Sequence, residues 1–300
     1  MAGEGPSGAD RRARLALPAL LLGAFAIGFG PIFVRVSELA PTATAFHRAF
    51  LALPALWLWC VIERRRFPEV LRPAEKGDIA KLILAGFFFA GDLIAFHWSI
   101  VTTSVANSIL LLHFMTIFVT LGAWVLFRER PRAVFLAGLA AAIAGAGILM
   151  GESLSFSARQ LGGDALGLLA ALFYAGYILI IGKLRARFSS ATIMLWTTAP
   201  MAAALVPAVW IAGETIIPQT GAGLAILIGL ALVTHAAGQG LVAYGLAHLP
   251  AAFGSVVLLF APAVSAALAW ALLAEPLSST QILGAIVVLA GIELARRGSR

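Results

Sequence analysis

Ten long apolar stretches restrict what this sequence can fold into. The hydrocarbon core of a bilayer needs about 20 apolar residues in helical form, because unpaired backbone groups are too costly to leave in lipid. The stretches therefore predict an all-α integral membrane protein with ten transmembrane helices, the first of them retained as an uncleaved span. They are Leu15–Val36, Ala43–Ile62, Ile79–Val101, Val105–Phe127, Ala133–Met150, Leu161–Gly182, Ile193–Ile211, Gly221–Gly245, Ala251–Leu273 and the shorter Thr280–Ala295.

The composition agrees with a chain that is dissolved in lipid. Hydrophobic residues make up 61% of it and charged residues 12%, against about 25% charged residues in soluble domains. The net charge of +7 comes from short basic bursts between apolar stretches, so we expect membrane lipid and not nucleic acid as a partner. Cys60 is the single cysteine, so we expect no disulfide framework, and neither a metal nor a cofactor is predicted.

The basic residues predict the orientation. Eighteen of the 21 Lys and Arg residues fall on one side of the ten stretches, together with both termini. The opposite loops hold only Arg159, while Arg35 and Arg48 lie within or beside stretches. By the positive-inside tendency, both termini are cytoplasmic, and we expect the chain in the cell (inner) membrane.

An offset of 146 residues aligns the sequence with itself. It pairs Trp124 with Trp270 and Phe114 with Phe260, and it also pairs Ala106, Leu112, Glu129, Gly138 and Gly145 with Ala252, Leu258, Glu275, Gly284 and Gly291. Each half, 1–150 and 151–300, then holds five helices, and an odd number requires the second half to be inverted. The pattern predicts two inverted five-helix repeats around a central cavity.

These residues resemble the drug/metabolite transporter superfamily, in particular its EamA-type ten-helix members. The resemblance is most specific over Ala252–Gly291, which contains Pro262 and Trp270 and is repeated in Ala106–Gly145. Arg48 also matches a basic position common in that family. Thr116 stands where the second copy has Pro262, so the sequence supplies no proline for a kink in the fourth stretch. The resemblance implies a cavity lined by helices 1, 3, 4, 6, 8 and 9 that opens alternately to either side.

Ionisable residues inside the stretches are the first candidates for function, because burying them in lipid is costly unless a partner or water is present. Asp92 lies near the middle of the third stretch, and its repeat equivalent Gly238 is flanked by His235 and Gln239. An inverted repeat brings such groups towards each other at mid-membrane. We predict that Asp92 and His235 bind a substrate ammonium or carry a coupled proton; the alternative is a structural hydrogen bond between helices.

Further polar and aromatic residues are predicted to bind substrate. Histidine and amide groups supply hydrogen bonds, and aromatic surfaces with polar tips suit amphipathic solutes. Packing roles for the histidines and interfacial anchoring for the aromatic residues remain open alternatives. Arg35 and Arg48 could attract a carboxylate or phosphate, but snorkelling to the interface is the favoured interpretation. The remaining candidates are His97, Trp98, Asn107, Ser108, His113, Tyr174, Tyr177, Tyr244 and Phe260.

The predicted function is secondary transport. An inverted duplication without a nucleotide-binding motif is typical of carriers that rock around a mid-membrane site. The resemblance points to export of amino acids, aromatic and other neutral ones, by uniport or proton-linked transport, from a monomer or weak homodimer. Export of drugs, nucleosides or sugar phosphates is the alternative. An enzyme is not expected, because H-E-x-x-H, G-x-S-x-G and P-loop motifs are missing from the sequence.

Overall fold

A computed structural model of the chain describes residues 8–103, 105–151, 160–273 and 278–299, and these residues are helical with short connections. Within them, ten helices are long and apolar enough to cross a membrane, which confirms the predicted ten-helix architecture. Glu275 and Arg159 lie outside the described residues.

The ten spans are numbered in chain order, and several consist of consecutive helices. Span 8 contains a π-helix, Leu230–Gln239, between two α-helices. The α-helices are Gly8–Gly28 and Gly30–Val36 (span 1), Pro41–Phe50 and Ala52–Arg66 (span 2), Lys76–Thr102 (span 3), Val105–His113 and Met115–Phe127 (span 4), Ala133–Met150 (span 5), Leu161–Leu184 (span 6), Ser190–Ala212 (span 7), Gly221–Gly229 and Gly240–Gly245 (span 8), Ala251–Val257 and Phe260–Leu273 (span 9), and Ser279–Gly298 (span 10).

Span 4 breaks at Phe114, although it has no proline there. The Phe114 amide donates to the carbonyl of Leu111 at 3.1 Å, three residues back, and Thr116 Oγ1 donates to the His113 carbonyl at 3.0 Å. Such back-bonding by a hydroxyl bends helices. Span 9 breaks at Leu258 and Leu259, one to two residues before Phe260, the repeat equivalent of Phe114. A proline is therefore not needed for the interruption, and the threonine at the proline position also makes a contact at the break.

Spans 5 and 10 pack backbone to backbone through the glycines that the repeat aligned. A Cβ built on Gly138 would lie 2.2 Å from the Ala295 nitrogen and 2.7 Å from the Gly291 oxygen. Reciprocally, a Cβ on Gly291 would lie 2.8 Å from the Gly138 oxygen. Gly145 and Gly284 meet each other's carbonyl in the same way. Gly138 thus contacts Gly291, the repeat equivalent of Gly145, and Gly145 contacts Gly284, the repeat equivalent of Gly138. A two-fold axis produces this contact pattern.

The other contacts between the halves also come in equivalent pairs. Span 1 packs on spans 8 and 9, and span 6 packs on spans 3 and 4. Spans 2 and 7 pack on each other, and span 7 also packs on span 3. Gly86 permits that approach, because a Cβ there would lie 2.4 Å from the Thr197 carbonyl oxygen. The close approach sets the position of the residues one and two turns further along span 3.

On the side of the termini, the loop between spans 6 and 7 is bound to spans 2 and 3; we call this set of contacts the near junction. Arg187 pairs with Asp78 at 2.6 Å and with Glu75 at 2.8 Å, and Ser189 Oγ donates to Glu63. The Arg187 guanidinium lowers the pKa of the Glu75 carboxyl, and Glu75 in turn raises the pKa of Arg187. Ion pairs therefore fasten one half to the other here.

On the opposite side, the loop between spans 1 and 2 is bound to spans 7 and 8; we call this set of contacts the far junction. Glu38 accepts from the Gln219 amide at 2.6 Å and from the Thr220 amide at 3.1 Å, while Glu214 accepts from the Ala43 amide at 2.6 Å. Hydrogen bonding from the Thr220 backbone lowers the pKa of Glu38. Here carboxylates fasten the halves by binding amides at helix starts, where the helix dipole favours negative charge.

Candidate functional site

A stack of aromatic rings forms at the middle of span 3. Phe89 lies with its ring centroid 4.5 Å from that of Tyr177 and 5.6 Å from that of Tyr174, both on span 6. The imidazole of His235, on span 8, stacks on Phe89 at 5.6 Å. Phe89 is 2% exposed. The stack thus joins three spans from both halves at mid-membrane depth.

Arg48 and Asp92 place opposite charges beside this stack. The Arg48 guanidinium carbon lies 5.9 Å from the Phe89 ring centroid, and Arg48 interacts electrostatically with Asp92. Asp92 lies nearly one turn beyond Phe89 on span 3 and is 4% exposed. Among the described residues, Asp92 Oδ1 and Arg48 Nε have no hydrogen-bond partner.

The interpretation of Arg48 as a snorkelling residue is therefore wrong. Its side chain turns towards the interior, because span 2 packs on span 7 and faces span 8 at this level, and an acid and an aromatic face are close enough there to stabilise the cation. Arg35 does lie exposed at the end of its helix. The cluster also draws on spans 2 and 7, which the resemblance had placed outside the cavity.

The π-helix of span 8 positions His235. Its Nε2 shares a 2.8 Å hydrogen bond with Thr198 Oγ1 on span 7, and its ring is 0% exposed. His235 Nδ1 has no hydrogen-bond partner within the described part of the chain. π-Helical turns occur often at functional sites. The local widening leaves an imidazole anchored at one nitrogen and available at the other.

Gln239 ends the same π-helix and contacts span 6. Its Nε2 donates to the Tyr174 hydroxyl at 3.1 Å. The Tyr177 hydroxyl lies 3.9 Å from Met194 Sδ. The structure therefore brings together five of the predicted residues, Asp92, Tyr174, Tyr177, His235 and Gln239, and adds Arg48, Phe89 and Thr198.

Asn107 and Ser108 belong to a different network, at the ends of spans 3, 4 and 6 that lie on the side opposite the termini. Ser108 Oγ lies 2.8 Å from Ser99 Oγ, which donates to the Gly163 carbonyl at 2.8 Å. Asn107 Nδ2 donates to Asp164 Oδ1 at 3.3 Å, and Thr103 donates to the same oxygen at 2.7 Å. These groups satisfy one another and hold the helices together.

The other predicted residues are dispersed. His97 is buried, and its Nδ1 lacks a hydrogen-bond partner among the described residues. His113 Nδ1 bonds to the Ile109 carbonyl of its own helix at 2.7 Å. Trp98 is 45% exposed on the outer surface, as expected of an interfacial anchor. Tyr244 packs against His248 near the end of span 8, and Phe260 packs on the core at the start of the second helix of span 9.

The cluster around Phe89 has a definite chemical character. One cation and one carboxylate lie beside an aromatic surface, with an imidazole stacked on one of its rings and an amide bonded to a tyrosine hydroxyl. Among the described residues, no group of three or more His, Cys, Asp or Glu side chains is placed to hold a metal ion. Such a site is suited to bind a solute that carries both charges and an apolar part.

Comparisons with known proteins agree with this architecture. An uncharacterized transporter of Archaeoglobus fulgidus is 25% identical over 275 residues, covering 88% of this chain and 91% of its own. A protein of known crystal structure superposes with a TM-score of 0.79 at 16% identity, over 97% of this chain and 98% of its own, so the fold is shared. The model of the EamA-like transporter family matches twice, at residues 14–151 and 161–296. The chain belongs to the EamA-like transporter family, and it is a multi-pass membrane transporter of small molecules.

Proposed function

We propose that this transporter exports amino acids, aromatic and other neutral ones, through the cluster around Phe89. The observation that carries the proposal is the placement of Arg48 over the Phe89 ring, with the buried Asp92 nearly one turn further along the same helix. A zwitterion presents a carboxylate to the guanidinium and an ammonium to the carboxylate. Phe89, Tyr174 and Tyr177 then take its side chain.

The charge balance of the cluster supports a neutral substrate. Arg48 and Asp92 together carry no net charge, so a zwitterion enters without leaving an uncompensated charge in a medium of low dielectric constant. A sugar phosphate would add two negative charges beside a single arginine, and burying unpaired charge costs several kcal/mol. Neutral amino acids are therefore favoured over anionic metabolites.

The mechanism we propose is alternating access by two inverted halves, residues 1–150 and 151–300, with both termini cytoplasmic in the inner membrane. The near and far junctions lie on opposite sides of the cluster and each join the two halves. In this mechanism one junction opens while the other stays closed. The unit is a monomer or a weak homodimer.

We further propose Asp92 and His235 as the groups that link transport to protons, if transport is proton-linked and not uniport. Asp92 Oδ1 and His235 Nδ1 are buried atoms without hydrogen-bond partners among the described residues. Asp92 Oδ1 can accept a proton without first breaking a hydrogen bond, and so can His235 Nδ1 in the tautomer whose Nε2 donates to Thr198. A proton on Asp92 would release the charge that holds a substrate ammonium.

The test is uptake of a labelled solute panel into liposomes that contain the purified protein, with and without a pH gradient. The panel contains aromatic and small neutral amino acids, a nucleoside and a sugar phosphate. We expect saturable uptake of neutral amino acids and at least a tenfold lower rate for Asp92→Asn and His235→Ala, with His248→Ala as control because His248 is exposed away from the cluster. Uptake of the nucleoside alone would contradict the substrate class, and unchanged rates in both variants would contradict the site.

A further inference from the structure

A groove on the membrane-facing surface lies between spans 2 and 8, apart from the cluster around Phe89. It has a volume of about 420 Å³, and its lining is almost entirely apolar. Trp59 and Leu232 form its exposed edges, at 36% and 40% exposure. Ala237 and Tyr244 of span 8 and Ser190 of span 7 also line it.

The length of the groove matches one leaflet of a bilayer. Its lining on span 8 runs from Leu232 to Tyr244, which is about 18 Å at the rise of an α-helix and somewhat less with the π-helical part. Half of the hydrocarbon core is about 15 Å thick. The groove therefore extends from near mid-membrane to the interface on the side of the termini, as an acyl chain of that leaflet does.

The interfacial end of the groove is polar. Ser190, the first residue of span 7, is 6% exposed, and its Oγ has no hydrogen-bond partner in the described part of the chain although Ser190 lines the groove. Arg185 donates Nε to the Ala243 carbonyl at 2.8 Å and an Nη to the Phe188 carbonyl. The guanidinium is thereby held beside Tyr244, with which it interacts electrostatically.

We propose that this groove binds one phospholipid of the leaflet on the side of the termini. One acyl chain fills the apolar channel, the Ser190 hydroxyl donates to an ester carbonyl, and Arg185 with Tyr244 faces the phosphate. Arg185 makes the site selective for anionic headgroups over zwitterionic ones. The site is independent of the proposed substrate and of the cluster that binds it.

A second groove provides an internal comparison. It has a volume of about 350 Å³ and lies between spans 3 and 7, where it is lined by Ile94, Trp98, Ala204, Pro207, Ala208 and Ile211. This lining contains neither a buried hydroxyl nor a charged residue. Lipid in contact with it has apolar surface alone to bind, so we expect exchange with the bulk bilayer there.

Native mass spectrometry of the full chain in mild detergent tests the proposal, with phosphatidylglycerol, phosphatidylcholine and palmitate as probes. We expect one phosphatidylglycerol to be retained through a delipidation series that removes the rest, with at least a tenfold weaker retention of phosphatidylcholine or palmitate. Ala237→Phe fills the groove and should abolish the retained lipid. Ala208→Phe makes the same change in the second groove and should leave the retained lipid in place.

Ser190→Ala separates the hydroxyl from the shape of the groove. It should weaken phosphatidylglycerol retention about threefold to tenfold, a loss typical of one hydrogen bond, while a thermal unfolding scan shows the same folded protein. Equal retention by wild type and Ala237→Phe would overturn the site. Equal retention of palmitate and phosphatidylglycerol would overturn the assignment to a phospholipid, and equal retention of the two phospholipids would overturn the role of Arg185.

Discussion

The near and far junctions occupy equivalent places in the two halves, yet different chemistry holds them. Ser189 and Ala43 are separated by the repeat offset of 146, and each lies at the start of a span where a glutamate from the other half binds. The near junction adds the pairs of Arg187 with Asp78 and Glu75, whereas the far junction adds Glu38 on backbone amides. Salt should therefore weaken mainly the ion pairs of the near junction, whereas acid should act on the bonded carboxylates of both junctions.

Equivalent contacts between the spans also differ in chemistry from one half to the other. Ser99 and Ser108 hold spans 3, 4 and 6 together near the far side, and their repeat equivalents are Gly245 and Gly254. At those glycines, a built Cβ would lie 2.9 Å from Leu20 Cβ and 2.5 Å from Leu246 Cδ2 respectively. Hydrogen-bonded hydroxyls on one side are thus replaced by tight apolar packing on the other. The same backbone arrangement accommodates hydrogen bonds or apolar contacts, because only the distance between the packed helices has to be kept.

The two-fold relation that makes the junctions equivalent depends on spans 5 and 10, and breaking that contact should have the largest effect. Gly138→Val would place side-chain atoms within 3 Å of the Ala295 and Gly291 backbone, where no side chain can rotate away. We expect a loss of more than about 3 kcal/mol, as for overpacked cores, and hence little folded protein by size-exclusion chromatography. Gly147→Val on the same span is the control, since nothing lies within 4 Å of its Cβ position. Similar yields for both variants would show that the glycine contact does not hold the halves together.

The ion pairs of the near junction should be the next most sensitive. Arg187→Ala leaves Asp78, 3% exposed, with Lys81 at 3.6 Å as its remaining ion-pair partner, and removing the closer partner of a buried carboxylate costs about 1 to 3 kcal/mol. Labelling of Cys60 measures the opening of the near junction, because Cys60 is buried and its Sγ lies 3.8 Å from Thr192 Oγ1. Thr192 belongs to the first turn of span 7. We expect maleimide labelling of Cys60 to rise about tenfold. In wild type, 1 M salt should raise it as well, because the screening length falls to about 3 Å.

Glu38→Gln serves as the matched variant for that experiment. It weakens the far junction and should leave Cys60 labelling unchanged, in low and high salt alike. Equal increases from Arg187→Ala and Glu38→Gln would mean that the two junctions open together, which is incompatible with alternating access.

Acid should act on the far junction. The pKa of Glu38 is lowered in the folded protein by the Thr220 amide, so its contribution to stability is present above the ordinary glutamate pKa and is lost as the pH falls through the lowered value. We expect the thermal midpoint of wild type to fall about 2 °C more than that of Glu38→Gln between pH 7 and pH 3.5. Glu69→Gln, a change at an exposed acid of the near side, should follow wild type. Parallel curves for wild type and Glu38→Gln would remove Glu38 from the far junction.

These contrasts also show what the sequence could predict. The limits of Ala133–Met150 and Gly221–Gly245 agree with the structure, because lipid forces apolar residues into helices of fixed length. The repeat offset placed Asp92 opposite His235, and the structure brings them to one cluster. Arg48 was misjudged because its distance from the span end permits snorkelling, and the face it presents depends on how span 2 packs.

Hydrogen-bond partners that are distant in the chain could not be predicted from the sequence either. Asn107 and Ser108 are polar groups within a span, which the sequence alone cannot distinguish from substrate ligands. Only packing shows that Asn107 bonds to Asp164 and Ser108 to Ser99. Phe89 lies nearly one turn before Asp92, and helical register could have identified it. The π-helix around His235 could not be predicted, because helices of either hydrogen-bond register place apolar residues in lipid equally well.

The smallest effect should come from the hydroxyls that distinguish the two sides. Ser108→Ala removes one hydrogen bond to Ser99, which keeps its bond to the Gly163 carbonyl, so no buried donor is left unsatisfied. Interhelical hydrogen bonds in membranes average about 0.6 kcal/mol, and we expect a loss of that order in an SDS unfolding titration. Ser99→Ala should cost more, because it removes both bonds and leaves the Gly163 carbonyl without that donor. If the two variants are equal, the Ser99 bond to the Gly163 carbonyl contributes nothing to stability, and the bond between the two hydroxyls accounts for the whole loss.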